Sequence, residues 1–186
     1  MTTPPEPWLP IRTDRLLLRD FLDIDLDALH AYASDPEVAR FMEWGPNTPE
    51  DTQAFLDRAF LSQRQWPRLD LGLAIEHVAD GKAIGSIGLH LRDAATVEIG
   101  YCLNRGYWRQ GLVFEASHAL IDTAFRTLGL HRVFATCDVR NTGSFGVMEK
   151  LGMRREAVLR QDRQIKGEWR DTYLYAVLAE EWLGRR

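Results

Sequence analysis

Hydrophobic residues occur along the chain in short runs separated by turn-forming residues, and the runs differ in period. Alternating runs of about four to eight residues predict strands, whereas helically spaced runs that follow an N-cap residue predict helices. Thr48-Pro49-Glu50-Asp51, for example, offers an N-cap, a proline at the first helical position and acids in the first turn. The predicted strands cover residues 16–19, 71–78, 83–92, 95–104, 132–139, 155–162 and 171–179, and the predicted helices cover 25–34, 49–65, 111–128 and 141–151.

The order of these elements predicts a mixed α/β domain without repeats or internal linkers. A length of 186 residues favours one domain, and 45% hydrophobic residues suffice for a sizeable core. We expect a loose, proline-rich N-terminal arm over residues 1–10 and a single domain over residues 11–186.

Composition argues against several classes of protein. The formal net charge of −4 gives no support to bulk nucleic-acid binding, and neither a signal peptide nor an apolar membrane span is evident. Cys102 and Cys137 lack metal-type spacing, as do the five histidines, so we expect no metal. A reduced, cytoplasmic setting is the economical interpretation.

The segment from Tyr107 to Glu115, between a predicted strand and a predicted helix, carries the most informative pattern. A turn that enters a helix leaves backbone N–H groups unpaired, and the helix dipole adds partial positive charge there. Gly111 lets the backbone approach a ligand closely. The segment therefore predicts a binding site for a phosphate or another anion.

The spacing of this segment excludes two common nucleotide loops, because neither Gly-x-x-x-x-Gly-Lys-Ser/Thr nor Gly-x-Gly-x-x-Gly occurs. Residues 107–116, Tyr-Trp-Arg-Gln-Gly-Leu-Val-Phe-Glu-Ala, instead resemble motif A of the GNAT acetyltransferases. The resemblance is to the branch similar to ribosomal-protein alanine N-acetyltransferases, the Rim type. Trp108, Gly111, Glu115 and Ala116 match the pattern, whereas Arg109 and Val113 stand where small residues are common.

Three further segments extend this resemblance to roughly residues 11–183. They are Thr13–Arg19, Asn141–Met153, and Gly167–Asp171 with Tyr175. The resemblance implies a GNAT fold of the α/β (α+β) class. Its sheet would be central, mixed, twisted and mostly antiparallel, with about six to seven strands and about four flanking helices. The fourth and fifth predicted strands, 95–104 and 132–139, would splay apart.

The resemblance also implies that acetyl-coenzyme A binds in the splay as acyl donor. The pantetheine arm would pair with the backbone of one strand, the pyrophosphate would meet the loop N–H groups, and Arg109 could add a charge-assisted contact. The implied donor-binding residues are Tyr101, Cys102, Leu103, Trp108, Arg109, Gln110, Gly111, Leu112, Val113, Phe114, Asn141 and Ser144.

Glu98 is the candidate general base, because a carboxylate beside the thioester can take a proton from an amine. The alternative is a structural ion pair with Arg105 or Arg132. Ser144 is the candidate acid for the departing thiolate, and its alternative role is a helix-start contact with Asn141. Many relatives carry a tyrosine at the position of Met148, which leaves Ser144 or water to serve the thiolate.

The acceptor would be a primary amine, either a protein N-terminus or a small amine such as an aminoglycoside or polyamine. Candidate acceptor-side residues are Glu43, Trp44, His90 and Tyr173. The expected activity is direct acetyl transfer in a ternary complex. The alternative is a non-catalytic module that binds acyl-coenzyme A and acts through a protein partner. Relatives often form dimers, so a homodimer is expected by resemblance alone.

Overall fold

A computed structural model describes residues 8–65, 67–68 and 70–184 of the chain. In these residues eight strands form one sheet, in the order β1-β2-β3-β4-β5-β6-β8-β7, flanked by six α-helices. The strands are β1 (Ile11–Arg12), β2 (Leu16–Arg19), β3 (Asp70–His77), β4 (Lys82–Leu91), β5 (Thr96–Leu103), β6 (Arg132–Asp138), β7 (Arg154–Ile165) and β8 (Glu168–Leu178). The helices are α1 (Leu26–Ala33), α2 (Pro36–Ala39), α3 (Pro49–Gln63), α4 (Leu112–Arg126), α5 (Thr142–Lys150) and α6 (Ala179–Leu183), with 3-10 turns at Asp23–Asp25 and Arg105–Tyr107.

The predicted N-cap of α3 is confirmed. The Thr48 hydroxyl accepts a hydrogen bond from the backbone N–H of Asp51 at 3.2 Å, and the Asp51 carboxylate accepts one from the Thr48 N–H at 3.0 Å. These reciprocal bonds satisfy two backbone donors and fix where the helix begins.

β5 and β6 are parallel neighbours that separate after a short contact. Thr96 pairs with Arg132 and Glu98 pairs with Phe134, and the recorded register between the two strands ends there. All the other strand pairs recorded for the described residues are antiparallel. Because β5 continues to Leu103, its second half lines a gap in the sheet.

The sheet separates two hydrophobic cores. The larger core lies on the side of α4–α6, and the smaller core lies on the side of α1–α3. In β5, Val97, Ile99 and Leu103 belong to the larger core, whereas Cys102 belongs to the smaller one. Since strand side chains alternate in direction, Glu98 shares the α1–α3 face with Cys102.

The structure has more elements than predicted because three of them are very short. β1 has two residues, α2 has four and α6 has five. None is long enough for a hydrophobic period to show in the sequence. The sheet of the described residues therefore has eight strands where about six to seven were expected, and six α-helices where about four were expected.

The last two strands form one long hairpin, whereas the prediction left a broad connection between 162 and 171. Lys166 and Gly167 make the turn, with φ of 51° and 83°. Two successive positive φ values are typical of the type I′ turn, whose twist matches that of the flanking strands.

Residues 1–7 of the predicted arm lie outside the described residues. Trp8 and Leu9, which are described, pack against the larger core. The single domain over 11–186 stays a prediction. Among the described helices, none has both the length and the apolar character needed to cross a membrane.

Candidate active site

The connection from β5 to α4 is a tight turn held by local hydrogen bonds. The Asn104 side chain accepts from the Gly106 N–H at 2.9 Å and begins a 3-10 turn. Two residues further along have positive φ, Arg109 at 61° and Gly111 at 77°. The left-handed conformation is costly for arginine, and such outliers cluster at ligand sites.

The N-terminus of α4 carries unpaired backbone donors. The Glu115 N–H bonds to the Gly111 carbonyl at 3.0 Å and begins the helical hydrogen-bond series. The N–H groups of residues 111–114 precede that series, and no side chain caps the helix at Gly111. Unpaired donors at the positive end of a 15-residue helix suit a phosphate or another anion.

Glu115, a motif match, ties this loop to the start of β2. Its carboxylate accepts from the Thr13 hydroxyl at 2.6 Å, and from the backbone and guanidinium of Arg15 at 2.9 and 2.7 Å. Arg15 also donates to the Gln110 carbonyl at 3.0 Å. Burial would raise the pKa of Glu115, but these donors outweigh burial and the pKa lies below its usual range. The Thr13-x-Arg15 segment thus supports the loop.

The side chains of the loop fall into three groups. Trp108 donates its indole N–H to the Leu103 carbonyl at 2.7 Å, and the Gln110 amide donates to the Gly106 carbonyl at 3.2 Å. Arg109 is exposed. The remaining loop side chains point inward: Leu112 is fully buried, and Val113 and Phe114 pack against the larger core.

The backbone of β5 offers hydrogen-bonding groups to the gap at alternate residues. Asn104 bonds to Ile84 of β4, so by alternation Cys102 also faces β4. The odd-numbered residues face the gap, and the Leu103 carbonyl is already taken by Trp108. Ile99 and Tyr101 are therefore the residues best placed to pair with an extended ligand. The sequence did not predict a role for Ile99, because it does not reveal which residues of a strand direct their backbone groups to which neighbour.

The start of α5 closes the other side of the gap. Asn141 is the predicted N-cap, and its side chain accepts from the Ser144 N–H at 3.1 Å. The Tyr101 hydroxyl lies 3.1 Å from the Ser144 carbonyl and 3.2 Å from its Oγ. Burial raises the pKa of Tyr101, so the phenol remains a donor at neutral pH. Met148 is buried in the larger core.

Glu98 lies where β5 and β6 begin to diverge. Its carboxylate accepts from the Thr136 hydroxyl at 2.8 Å and forms an ion pair with Arg92. The expected alternative partners bind elsewhere: Arg105 contacts Asp35 at 3.1 Å, and Arg132 contacts Glu156. The Glu98 side chain is 13% exposed, so an acceptor entering from the α1–α3 face can reach it.

Three of the predicted acceptor-side residues, His90, Glu43 and Trp44, lie on this side of the sheet. His90 is the cross-strand neighbour of Glu98, and its Nδ1 pairs with Asp70. Glu43 pairs with Arg163 of the long hairpin at 2.8 Å. Trp44 follows Glu43 and is 38% exposed.

Tyr173 lies on the opposite face of the sheet from Glu98. Its neighbours are Phe145, whose ring centre is 5.7 Å away, and the Arg155 guanidinium, 4.8 Å above the tyrosine ring. Strand alternation explains the difference: Thr136, beside Glu98, pairs with Leu174 and not with Tyr173.

Neither cysteine has the properties of a thiolate nucleophile. Burial raises the pKa of Cys102 to about 12. Burial also raises the pKa of Cys137, to about 11, although a hydrogen bond with Ser144 lowers it in part. Within the described residues, no three histidine, cysteine or acidic side chains are grouped as metal ligands would be.

Residues 15–154 match the family model described as the acetyltransferase (GNAT) domain, and the chain therefore belongs to the GNAT acetyltransferases. A protein named as an uncharacterized N-acetyltransferase, YnaD of Bacillus subtilis (strain 168), is 35% identical over 175 residues, which are 92% of this chain and 98% of that protein. These findings confirm the acetyltransferase class predicted from the motifs.

Solved structures support the same assignment. A GNAT-family acetyltransferase from Bacillus anthracis superposes with a TM-score of 0.84 at 34% identity, covering 93% of this chain and 100% of its own. RimL, a ribosomal L7/L12 α-N-protein acetyltransferase solved in complex with coenzyme A, shares the fold with a TM-score of 0.81 at 19% identity, covering 91% and 97%. The predicted fold class is confirmed.

Proposed function

We propose that the protein transfers the acetyl group of acetyl-coenzyme A to a primary amine by direct attack within a ternary complex. The observation that carries the proposal is the gap between β5 and β6. It opens beside Glu98 and ends near the unpaired N–H groups of α4. A thioester substrate with an extended arm and a pyrophosphate fits a gap with these two ends.

The donor would be held mainly by main-chain groups. The backbone of Ile99 and Tyr101 would pair with the pantetheine arm, and the N–H groups from Arg109 to Phe114 would surround the pyrophosphate. Main-chain binding tolerates side-chain changes. Val113, which packs against the core, is therefore compatible with this role.

Transfer needs an acceptor for the amine proton and a donor for the thiolate. We assign Glu98 to receive the amine, either as the base or as the group that aligns it. The thiolate would take its proton from the Ser144 hydroxyl or from water, since Met148 has none to give. In balance, the C–N bond forms as the C–S bond breaks, and one proton leaves nitrogen as one reaches sulfur.

The acceptor is a protein N-terminus or a small amine such as a polyamine or aminoglycoside. We propose that its path on the α1–α3 face is lined by Glu43, Trp44 and His90. Tyr173 lies on the other face, where it would support Phe145 of α5 and not contact the acceptor. A cytoplasmic location and a homodimer remain part of the proposal. Two free cysteines accord with a reducing setting.

A thiol-release screen tests this function. The full chain, with acetyl-coenzyme A, is offered alanine- and serine-initiated peptides, spermidine and kanamycin, and free coenzyme A is followed over time. We expect amine-dependent release with at least one acceptor class. Binding of acetyl-coenzyme A without amine-dependent release would favour the alternative, a non-catalytic acyl-coenzyme A-binding module that acts through a partner.

A further inference from the structure

We propose that His90, held by Asp70, accepts the proton of the attacking amine, while Glu98 aligns that amine. The inference rests on the proposed acetyltransferase function and adds a proton acceptor to it. Its basis is a row of polar cross-strand neighbours: Asp70 of β3 pairs with His90 of β4, which pairs with Glu98 of β5.

The hydrogen bonds of Glu98 favour an aligning role. One oxygen accepts from Thr136 and the other faces the Arg92 guanidinium. These two donors fix the orientation of the carboxylate. The carboxylate still has free lone pairs, and those can accept an N–H of the amine without any change in its own partners.

The contact with Asp70 fixes the orientation of His90. A carboxylate only accepts hydrogen bonds, so the His90 Nδ1 that faces it carries the hydrogen. The neutral ring then has its lone pair on Nε2, which is the atom free to take a proton. Asp70 is therefore a positioning residue.

The position of Nε2 follows from the glycines beneath it. Gly72, Gly88 and Gly100 are cross-strand neighbours in β3, β4 and β5. The His90 Nε2 lies 3.5 Å from where a Cβ of Gly88 would be and 3.7 Å from that of Gly100. The ring thus lies over the glycine backbone of β4 and β5, on the same face of the sheet as Glu98. Gly100, beneath the ring, is two residues from Glu98 along β5.

These contacts place an oriented base beside an aligning carboxylate. The amine nitrogen attacks the thioester carbon, its proton passes to His90 Nε2, and the C–S bond breaks. The imidazolium, paired with Asp70, then returns the proton to water. The thiolate is protonated independently by Ser144 or water, so charge and protons balance over one turnover.

The test compares variants of the full chain at saturating acetyl-coenzyme A, with the best amine from the peptide, spermidine and kanamycin screen. We expect His90→Ala to lower kcat by about 10²-fold, within the usual contribution of a general base. Millimolar imidazole should restore part of that loss, because the glycine floor leaves room for it. Asp70→Asn should lower kcat less, without raising the KM for acetyl-coenzyme A.

Two controls separate chemistry from folding. His131→Gln changes an exposed histidine whose recorded contacts are made by its backbone, and it should keep wild-type kcat. His90→Gln keeps a polar side chain of similar size. Its kcat should fall, and added imidazole should not restore it. Stabilisation by acetyl-coenzyme A in a melting assay verifies that each variant is folded.

A His90→Ala variant with wild-type kcat would overturn the inference. So would a loss confined to the KM for the amine, or a loss of kcat that imidazole leaves unchanged. If the wild-type protein releases no thiol with any of the amines, the proposed function is contradicted instead. Stabilisation by coenzyme A would then indicate a binding module.

Discussion

The Tyr101 hydroxyl donates to the Ser144 carbonyl at 3.1 Å and thereby joins β5 to the start of α5 across the gap in the sheet. This bond sets the distance between the strand that would bind the pantetheine arm and the helix that would serve the thiolate. Because burial raises the pKa of Tyr101, the bond persists throughout the neutral and mildly alkaline range.

Tyr101→Phe should lower the free energy of unfolding by about 1 kcal/mol, the usual net value of one such hydrogen bond. It should also slow thiol release, because Ser144 loses its fixed position. Tyr175→Phe is the matched control, since its hydroxyl bonds to Glu149 at 2.9 Å, away from the gap. Equal turnover in the two variants would show that the Tyr101 bond is only structural.

Gly111→Ala should weaken the binding of coenzyme A and lower stability by about 1–2 kcal/mol, the cost of a left-handed L-residue. The added Cβ would lie 3.7 Å from Arg15, so the penalty comes from the φ of 77° and not from a clash. Gly129→Ala has a similar φ, 66°, with open space around it. Calorimetric titration should find coenzyme A affinity reduced only in the Gly111 variant.

Glu98→Gln should lower kcat by about 10²-fold, because the amine is no longer aligned, and leave the affinity for acetyl-coenzyme A unchanged. The amide keeps the size of the side chain but brings a donor towards Arg92 and Thr136. Glu156→Gln breaks a comparable ion pair, with Arg132 at the sheet edge, and should leave turnover as it was. Wild-type turnover of the Glu98 variant at every pH would remove this residue from the chemistry.

Glu115→Gln should destabilise the protein by about 2 kcal/mol at neutral pH, because charged hydrogen bonds to Thr13 and Arg15 are lost. The pKa of Glu115 is lowered in the folded state, against the opposing effect of burial. Its contribution is therefore full above the usual glutamate range and lost as pH falls through the folded pKa. In denaturant melts, the difference in unfolding free energy between the wild type and Glu115→Gln should shrink as the pH falls below about 4 to 5. A difference constant in pH would contradict it.

Local signals in the sequence predicted the starts of α3 and α5 correctly. Thr48 and Asn141 cap α3 and α5 through side chains that bond within three residues, so the evidence lies in the sequence itself. The long hairpin was underestimated, because its turn is Lys166-Gly167 and not the more familiar Asn-Gly or Asp-Gly.

Contacts that depend on strand register could not be predicted in the same way. The partners of Glu98 were expected to be Arg105 or Arg132, yet they are Arg92 and Thr136, which only the sheet brings near. Tyr173 faces α5 and not the acceptor side for the same reason: a shift of one residue exchanges the faces of a strand.

The most direct test of the central claim is the stoichiometry of transfer. Acetyl-coenzyme A and the preferred amine are incubated with the wild-type chain, and free thiol and acetylated amine are both quantified. The account predicts one acetylated amine for each thiol released, at a rate that depends on the amine concentration. Saturable acetyl-coenzyme A binding with no acetylated product for any amine would contradict it.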